Sequence, residues 1–403
     1  MLRWEEARQR VIDEAGRIKS PLQTQLLPLS DSLGYVIAQK VCADREYPPF
    51  DRSTRDGYAV RAGETGPAKR LRCVGEIKAG ASVTDALAAG TCVQIMTGAA
   101  VPAGADAVVM IEFTSRDGEF VIFQRETQCG QNIVLKGSEA HAGDLALGVG
   151  QRMGYAELAI AAQVGASRLS CYKKPRVAIL STGDEVVPGT ESPGPFHIRN
   201  SNSVSLSAQV RLAGGEPVLL GNAGDRVEEL SAKIEQGLRE DMLILSGGVS
   251  MGKYDLVEGV LKSLGGEFFF DAVAVRPGKP TVVGRVREKL VFGLPGNPVS
   301  TMVTFQLFAI PAMDVFSGAP PRPLGLLEGT AGQGLHEKTG LTHFLPGRIE
   351  WINGRPLVTA LRWQGSGDIG TLSKANCFVV VPFDRQHIAV GEIVSVLPRW
   401  DVI

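Results

Sequence analysis

The sequence predicts a multidomain α/β protein: a central domain with a parallel sheet, a helical domain carrying a β-rich insert, and a small C-terminal β-barrel or sandwich. Three observations predict it. The chain has 403 residues, more than one ordinary domain holds. Between residues 175 and 319 apolar runs of strand length alternate with helical stretches. From Phe50 to about Leu135 the texture is different, with short β-like runs punctuated by glycine.

Taken in order, Glu5 to Lys19 places Ala7, Val11, Ala15 and Ile18 on one side of an amphipathic helix that Pro21 ends. Pro28 to Gly34 reads as a short capped turn of helix, and Val36 to Val41 as a strand. Gly57–Val60, Leu71–Ile77, Thr91–Met96, Ala107–Ile111 and Phe120–Phe123 are the insert's strands, and Gly154–Gly165 returns to helix. The expected domains are 1–50 with 138–174, the insert 51–137, the α/β domain 175–319 and the tail 324–403. In the α/β domain, Val177–Leu180, Val218–Leu220, Met242–Leu245, Phe268–Val275, Thr281–Val283 and Leu290–Phe292 read as strands. Asn202–Ala213, Val227–Leu238, Leu256–Leu264 and Val299–Phe316 read as helices. Such alternation implies a parallel sheet covered on both faces, with ligands beyond its C-terminal strand ends. The Pro320–Pro323 stretch reads as a stiff linker, and the tail shows β-runs and no convincing helix.

Composition narrows the function classes. The chain is 44% hydrophobic and 21% charged, with a formal net charge of −1. No general attraction to nucleic acid or to a membrane is expected, so any anion site must be local. The N-terminal stretch is charged and reads as no signal peptide, and Val299–Phe316 reads as too short and interrupted to span a bilayer. Six scattered cysteines, with no C-x-x-C pair, suit free thiols in the cytoplasm.

Four loops at strand ends carry the chemistry: Ser181-Thr182-Gly183-Asp184-Glu185, the turn holding Asp225, Ser246 to Asp255, and Leu294 to Ser300. The last turns on two prolines and a glycine into a helix, which aims free backbone N–H groups and the Ser300 hydroxyl at a ligand. Glu185, Asp225 and Asp255 should reach one rim, where a hard cation such as Mg²⁺ takes one or two carboxylates and completes its shell with phosphate and water. Each acid would also serve as a plain helix cap. Gly247 to Tyr254 approaches a P-loop, but Tyr254 stands where the Mg²⁺-binding hydroxyl belongs, so a different phosphate cradle is expected. Arg276-Pro277-Gly278-Lys279-Pro280 sets two cations around a stiff turn, a pair that favours a bound oxyanion. Arg348 and Ser366 in the tail would extend such a pocket. In the insert, Asp56 at a glycine turn and Met96-Thr97-Gly98 form polar loops that turn chemistry alone would explain.

Together these motifs resemble the molybdopterin molybdenumtransferase family (MoeA and the C-terminal domain of gephyrin) along nearly the whole chain. The shared runs are D-G-Y-A at Asp56, M-T-G-x-x-V-P-x-G-x-D from Met96 to Asp106, and S-T-G-D-E at Ser181. S-G-G-V-S-M-G at Ser246, P-G-K-P at Pro277 and L-P-G-N-P-V-S at Leu294 follow in the family's order. The resemblance implies that the helical domain is elongated and dimerising, that the α/β domain binds molybdopterin, that the tail is a C-terminal β-barrel, and that a homodimer completes each cleft with the partner's insert. It implies a cytoplasmic, Mg²⁺-dependent transferase that inserts molybdenum from molybdate into adenylylated molybdopterin and releases AMP. By position, Glu185, Asp225 and Asp255 would hold Mg²⁺. Ser181, Thr182, Gly183, Gly247, Gly248, Ser250, Pro295, Asn297 and Pro298 would line the pterin-nucleotide site. Lys279, Ser300, Arg348 and Ser366 would hold molybdate beside Arg276, and Asp56 and Thr97 would reach across the dimer. It leaves open whether a molybdopterin adenylyltransferase hands over the intermediate. The chain departs from the family at Arg55 (usually methionine), at Val134 (arginine), at Glu139 (aspartate) and at Arg276 (lysine). These departures motivate an alternative, a non-catalytic or altered paralogue that binds molybdopterin or a partner protein.

Overall fold

The computed structural model describes residues 1–18, 22–248, 256–399 and 401–402. Its centre is a six-stranded sheet in the order 216–223, 176–182, 242–246, 289–294, 282–286, 267–270. Alternate residues of each strand face opposite cores. Val177, Ile179, Met242, Ile244 and Phe292 meet the helices Ser201–Leu212 and 298–316 on one side. Ala178, Leu180, Leu243, Leu245 and Val291 meet Val227–Gly237 and Leu256–Ser263 on the other. Both faces are covered, as the strand–helix rhythm requires.

The sheet is mixed rather than parallel, which corrects the expectation. The four strands 216–223, 176–182, 242–246 and 289–294 are parallel. The pairs 282–286/289–294 and 267–270/282–286 are antiparallel. The cause is a two-residue hairpin, Arg287-Glu288, whose φ angles of 47° and 59° are both left-handed, as a tight type I′ connection demands. The expected strand Phe268–Val275 also divides. Glu267–Phe270 closes the central sheet, while Val275–Arg276 pairs with Thr342–Ile352 of the tail.

The helix from Pro298 to Phe316, expected to be too short to span a bilayer, is long and apolar enough to do so, but 89% of its most apolar window is buried inside the protein, as in a core helix. It runs α–π–α, with the π turn at Phe305–Ala309. Pro311 has no N–H to give the Leu307 carbonyl. That carbonyl accepts instead from Arg8 Nη1 at 2.7 Å. Arg8 belongs to the Trp4–Ile18 helix, whose Ala7, Val11, Ala15 and Ile18 enter the core of the α/β layer.

The remaining sheets flank this layer. The insert's six strands run in the order 107–110, 57–60, 91–95, 70–77, 120–123, 114–117. Short pairs, Thr24–Pro28 with Arg168–Tyr172 and Val41–Cys42 with Leu145–Leu147, pack with the helix Tyr155–Gln163. The strands 342–352, 355–360, 327–331, 393–398 and 377–381 close on themselves as a five-stranded barrel. The tail does hold one helix, Ile369–Leu372, capped by Asp368, which accepts from Thr371 N at 2.9 Å. Four residues are too few for helical periodicity to show.

Candidate active site

Four parallel strands end at one edge, and their register puts Ser181, Ser246 and Leu294 side by side there. Two cavities open over this edge, of about 750 and 630 Å³, and they share Pro280, Pro295 and Asn297 as a common wall.

The larger cavity is acidic. Glu185 and Asp225 outnumber its one cation, Arg199, and Ser181, Thr182, Gly183, Gly247, Gly248, Pro295, Asn297 and Pro298 also line it. Its loops are tied by amides. Asn202 Nδ2 donates to Ser246 Oγ at 2.8 Å and to the Gly296 carbonyl at 2.7 Å, latching two loops together. Asn222 Nδ2 donates to the carbonyls of Gly183 and Val186. Asn200 caps the Ser201–Leu212 helix and accepts from Ser181 Oγ at 3.2 Å. The loops also approach too closely for side chains. At Gly247, with φ +97°, a Cβ would lie 2.7 Å from the Thr182 carbonyl oxygen, so glycine is required. Thr182 Oγ1 and Asn202 Oδ1 are buried without hydrogen-bond partners among the described residues.

Three carboxylates gather at this rim. Asp184 Oδ1 accepts from Asp225 N at 3.0 Å. Partial burial, then the charges of Asp184 and Glu185, push the Asp225 carboxyl above its ordinary range. A cation arriving here relieves that repulsion. Among the described residues no three acidic, histidine or cysteine side chains form a complete ligand set. Asp255 and Ser250, and the P-loop-like run through Tyr254, fall outside the described residues.

The smaller cavity is basic. Arg276, Lys279, Ser300 and Ser366 line it with Trp363 and Gln364, and no acidic side chain does. Lys279 is exposed and makes no ion pair among the described residues. Gly278, with φ +112°, lets the turn pass Thr304, whose Cγ2 would lie 2.4 Å from a Cβ. Ser300 is buried in the first turn of the core helix. Val299 N donates to the Ser366 carbonyl at 3.0 Å, which brings the barrel loop over that helix start.

Two groups of expected site residues lie elsewhere. Arg348 lines neither cavity; it sits on the barrel strand, half exposed, 3.3 Å from Glu350. The strand's pleat turns alternate residues outward, and Arg348 is on the solvent side between buried Gly347 and Ile349. Asp56 and Thr97 form a turn of their own. Asp56 Oδ1 accepts from Thr97 N at 2.7 Å and from its Oγ1 at 2.8 Å, which holds the carboxyl below its ordinary range. Neither residue lines either of the two cavities.

The cleft also uses residues not singled out from sequence: Asp184, Arg199, Asn200, Asn202, Trp363 and Gln364. Asn200-Ser201-Asn202 carried a readable signal, three N-cap residue types at the start of a helix. Asp184 lay inside a motif already marked. Arg199, in the two-residue strand Ile198–Arg199, and Trp363 and Gln364, in a barrel loop, carry no pattern.

Comparison with known proteins agrees along the chain. The profile of the MoeA N-terminal region (domains I and II) matches residues 2–165. The probable molybdopterin binding domain matches 178–315, and the MoeA C-terminal region (domain IV) matches 328–399. The molybdopterin molybdenumtransferase of Bacillus subtilis (strain 168) is 33% identical, over 96% of this chain and 93% of its own. That of Haemophilus influenzae is 31% identical over 99% and 98%. The crystal structure of the molybdopterin biosynthesis MoeA protein from Pyrococcus horikoshii OT3 superposes with a TM-score of 0.79 at 26% identity, covering 99% of this chain and all of that one.

Proposed function

Because this chain belongs to the molybdopterin molybdenumtransferase family, we propose that it inserts molybdenum from molybdate into adenylylated molybdopterin and releases AMP in an Mg²⁺-dependent step. The observation that carries this reading is the pair of oppositely charged cavities divided by a wall of Pro280, Pro295 and Asn297. A pterin nucleotide needs its phosphates neutralised, and a tetrahedral oxyanion needs cations and N–H donors within reach of the same molecule.

The acidic rim would hold Mg²⁺ through Glu185 and Asp225, with Asp255 as a further ligand. When bound, the ion supplies charge neutralisation and Lewis acidity at the phosphoanhydride. The amide-latched loops orient the pterin nucleotide, and the glycines at 183, 247 and 248 let its phosphates approach the backbone. Arg276 and Lys279 collect molybdate by charge, and Ser300 and Ser366 offer hydroxyls to its oxygens. Holding the two reactants across one wall replaces a collision by a positioned encounter. Asp56 and Thr97 act in this reading across a homodimer, from the insert of the partner, and the protein works in the cytoplasm.

The deciding assay gives the purified protein adenylylated molybdopterin, Mg²⁺ and molybdate. AMP release that requires molybdate is the expected result. Tight pterin binding without AMP release would make the chain a binding protein instead. Mixing Lys279→Ala and Asp56→Asn variants tests the dimer: co-assembled protein should regain activity that neither variant shows alone, and no recovery would place each site within one chain.

A further inference from the structure

We propose that Arg199 binds the nucleotide phosphate of the substrate, so that the acidic cavity selects a nucleotide over an uncharged nucleoside. Arg199 is the one cation among the described residues that line this cavity, in company with Glu185 and Asp225. It stands on the two-residue strand Ile198–Arg199, which runs parallel to Val186–Val187 with Val187 as its register partner. Two backbone bonds close this ribbon. Ile198 N donates to the Glu185 carbonyl at 2.8 Å, and Asn200 N donates to the Val187 carbonyl at 2.8 Å. The next residue, Asn200, caps the Ser201–Leu212 helix. The backbone of Arg199 is therefore held between a carboxylate-bearing loop and a capped helix start.

The side chain is held as well. Its Nε donates to the Glu191 carbonyl at 3.1 Å. Among the described residues the guanidinium forms no ion pair, and Nη1 and Nη2 make no hydrogen bond. An arginine that shares a cavity with two carboxylates and pairs with neither leaves both signs of charge uncompensated. A divalent cation alone would answer the carboxylates and leave the guanidinium unanswered. A phosphate answers both, because one oxygen can ligate the cation while others accept N–H bonds. With Nε occupied, the Nη1 and Nη2 end remains as a fork of donors, the shape that two phosphate oxygens fill together. Arg199 is exposed, so its pull on an anion is open to screening by salt.

This inference rests on the reading of the acidic cavity as the nucleotide site. Calorimetric titration of the full-length protein with AMP in the presence of Mg²⁺ tests it, with adenosine as the uncharged control. Arg199→Gln should weaken AMP binding by about tenfold at low ionic strength and leave adenosine within about twofold. The difference from the wild type should narrow as salt is added. Arg199→Lys should recover part of the loss, since it keeps the charge and gives up the fork. Molybdate affinity should stay within about twofold in both variants, because Arg199 lies outside the basic cavity. Equal weakening of AMP and adenosine would reduce Arg199 to a support for its ribbon and overturn the proposal. Unchanged AMP affinity in Arg199→Gln would overturn it too, while leaving the nucleotide site standing. A wild-type protein that binds no AMP removes the nucleotide reading itself, and the proposal with it.

Discussion

The two halves of the cleft share a wall but are built on opposite plans. The acidic half is a parallel-strand edge, drawn tight by Asn200, Asn202 and Asn222, where carboxylates crowd one another. The basic half is a turn, a helix start and a barrel loop, drawn from three separate pieces of chain. In the first, charge accumulates on a rigid frame. In the second, charge is assembled by packing domains together. In the proposed reading a cation completes one half and an anion the other, and a substrate carrying phosphates beside an oxyanion would satisfy both. Rigidity belongs where orientation matters, and assembly where a small symmetric ion has only to be caught.

The contrast breaks most readily at Lys279. Lys279→Ala should lower molybdate-dependent AMP release by about a hundredfold while leaving pterin binding within about twofold, since it removes a cation that only the basic half uses. Equal losses of both would show that the halves are not separable. Asp225→Asn should reduce turnover by about tenfold and weaken the response to Mg²⁺. Its stability signature is distinctive. A carboxyl raised in the folded state favours folding while protonated, and that contribution is lost as pH rises through the folded value. At neutral pH without Mg²⁺, the asparagine variant should therefore melt slightly higher than the wild type, and adding Mg²⁺ should no longer raise its Tm. A lower Tm would mean the carboxylate serves a structural cap. Gly278→Ala sharpens the contrast through the backbone. With φ +112° and Thr304 in the way, it should cost about 1–3 kcal/mol in chemical denaturation and weaken molybdate binding before pterin binding. The smallest effect is expected at Arg348. Arg348→Ala should change AMP release by less than about twofold, because its side chain stands on the solvent side of the barrel beside Glu350. A large loss would require the barrel to turn that strand toward the cleft.

Much of this was legible in the chain, for identifiable reasons. Strand-end loops of a parallel sheet must share an edge, so Ser181–Glu185, Asp225, Gly247 and Leu294–Ser300 could be placed together from strand order alone. The mixed direction was hidden because a type I′ turn is normally announced by Asn-Gly, and here Arg287-Glu288 adopts it with side chains that carry no such message. The split of Phe268–Val275 was hidden because hydrophobicity reports burial, and both halves are buried, one against each sheet. Arg348 was placed by the family resemblance, which cannot show which face of a strand looks at the cleft. Asp56 and Thr97 carry their motif plainly, but a motif does not say which chain of an assembly it serves.

The strand Val275–Arg276 is hydrogen-bonded to the barrel while its neighbours on both sides belong to the central layer. It works as a gear tooth between two modules. A shift of the barrel against the α/β layer would therefore be felt at Arg276, and the barrel could not be trimmed away or exchanged without changing where that guanidinium stands in the basic cavity.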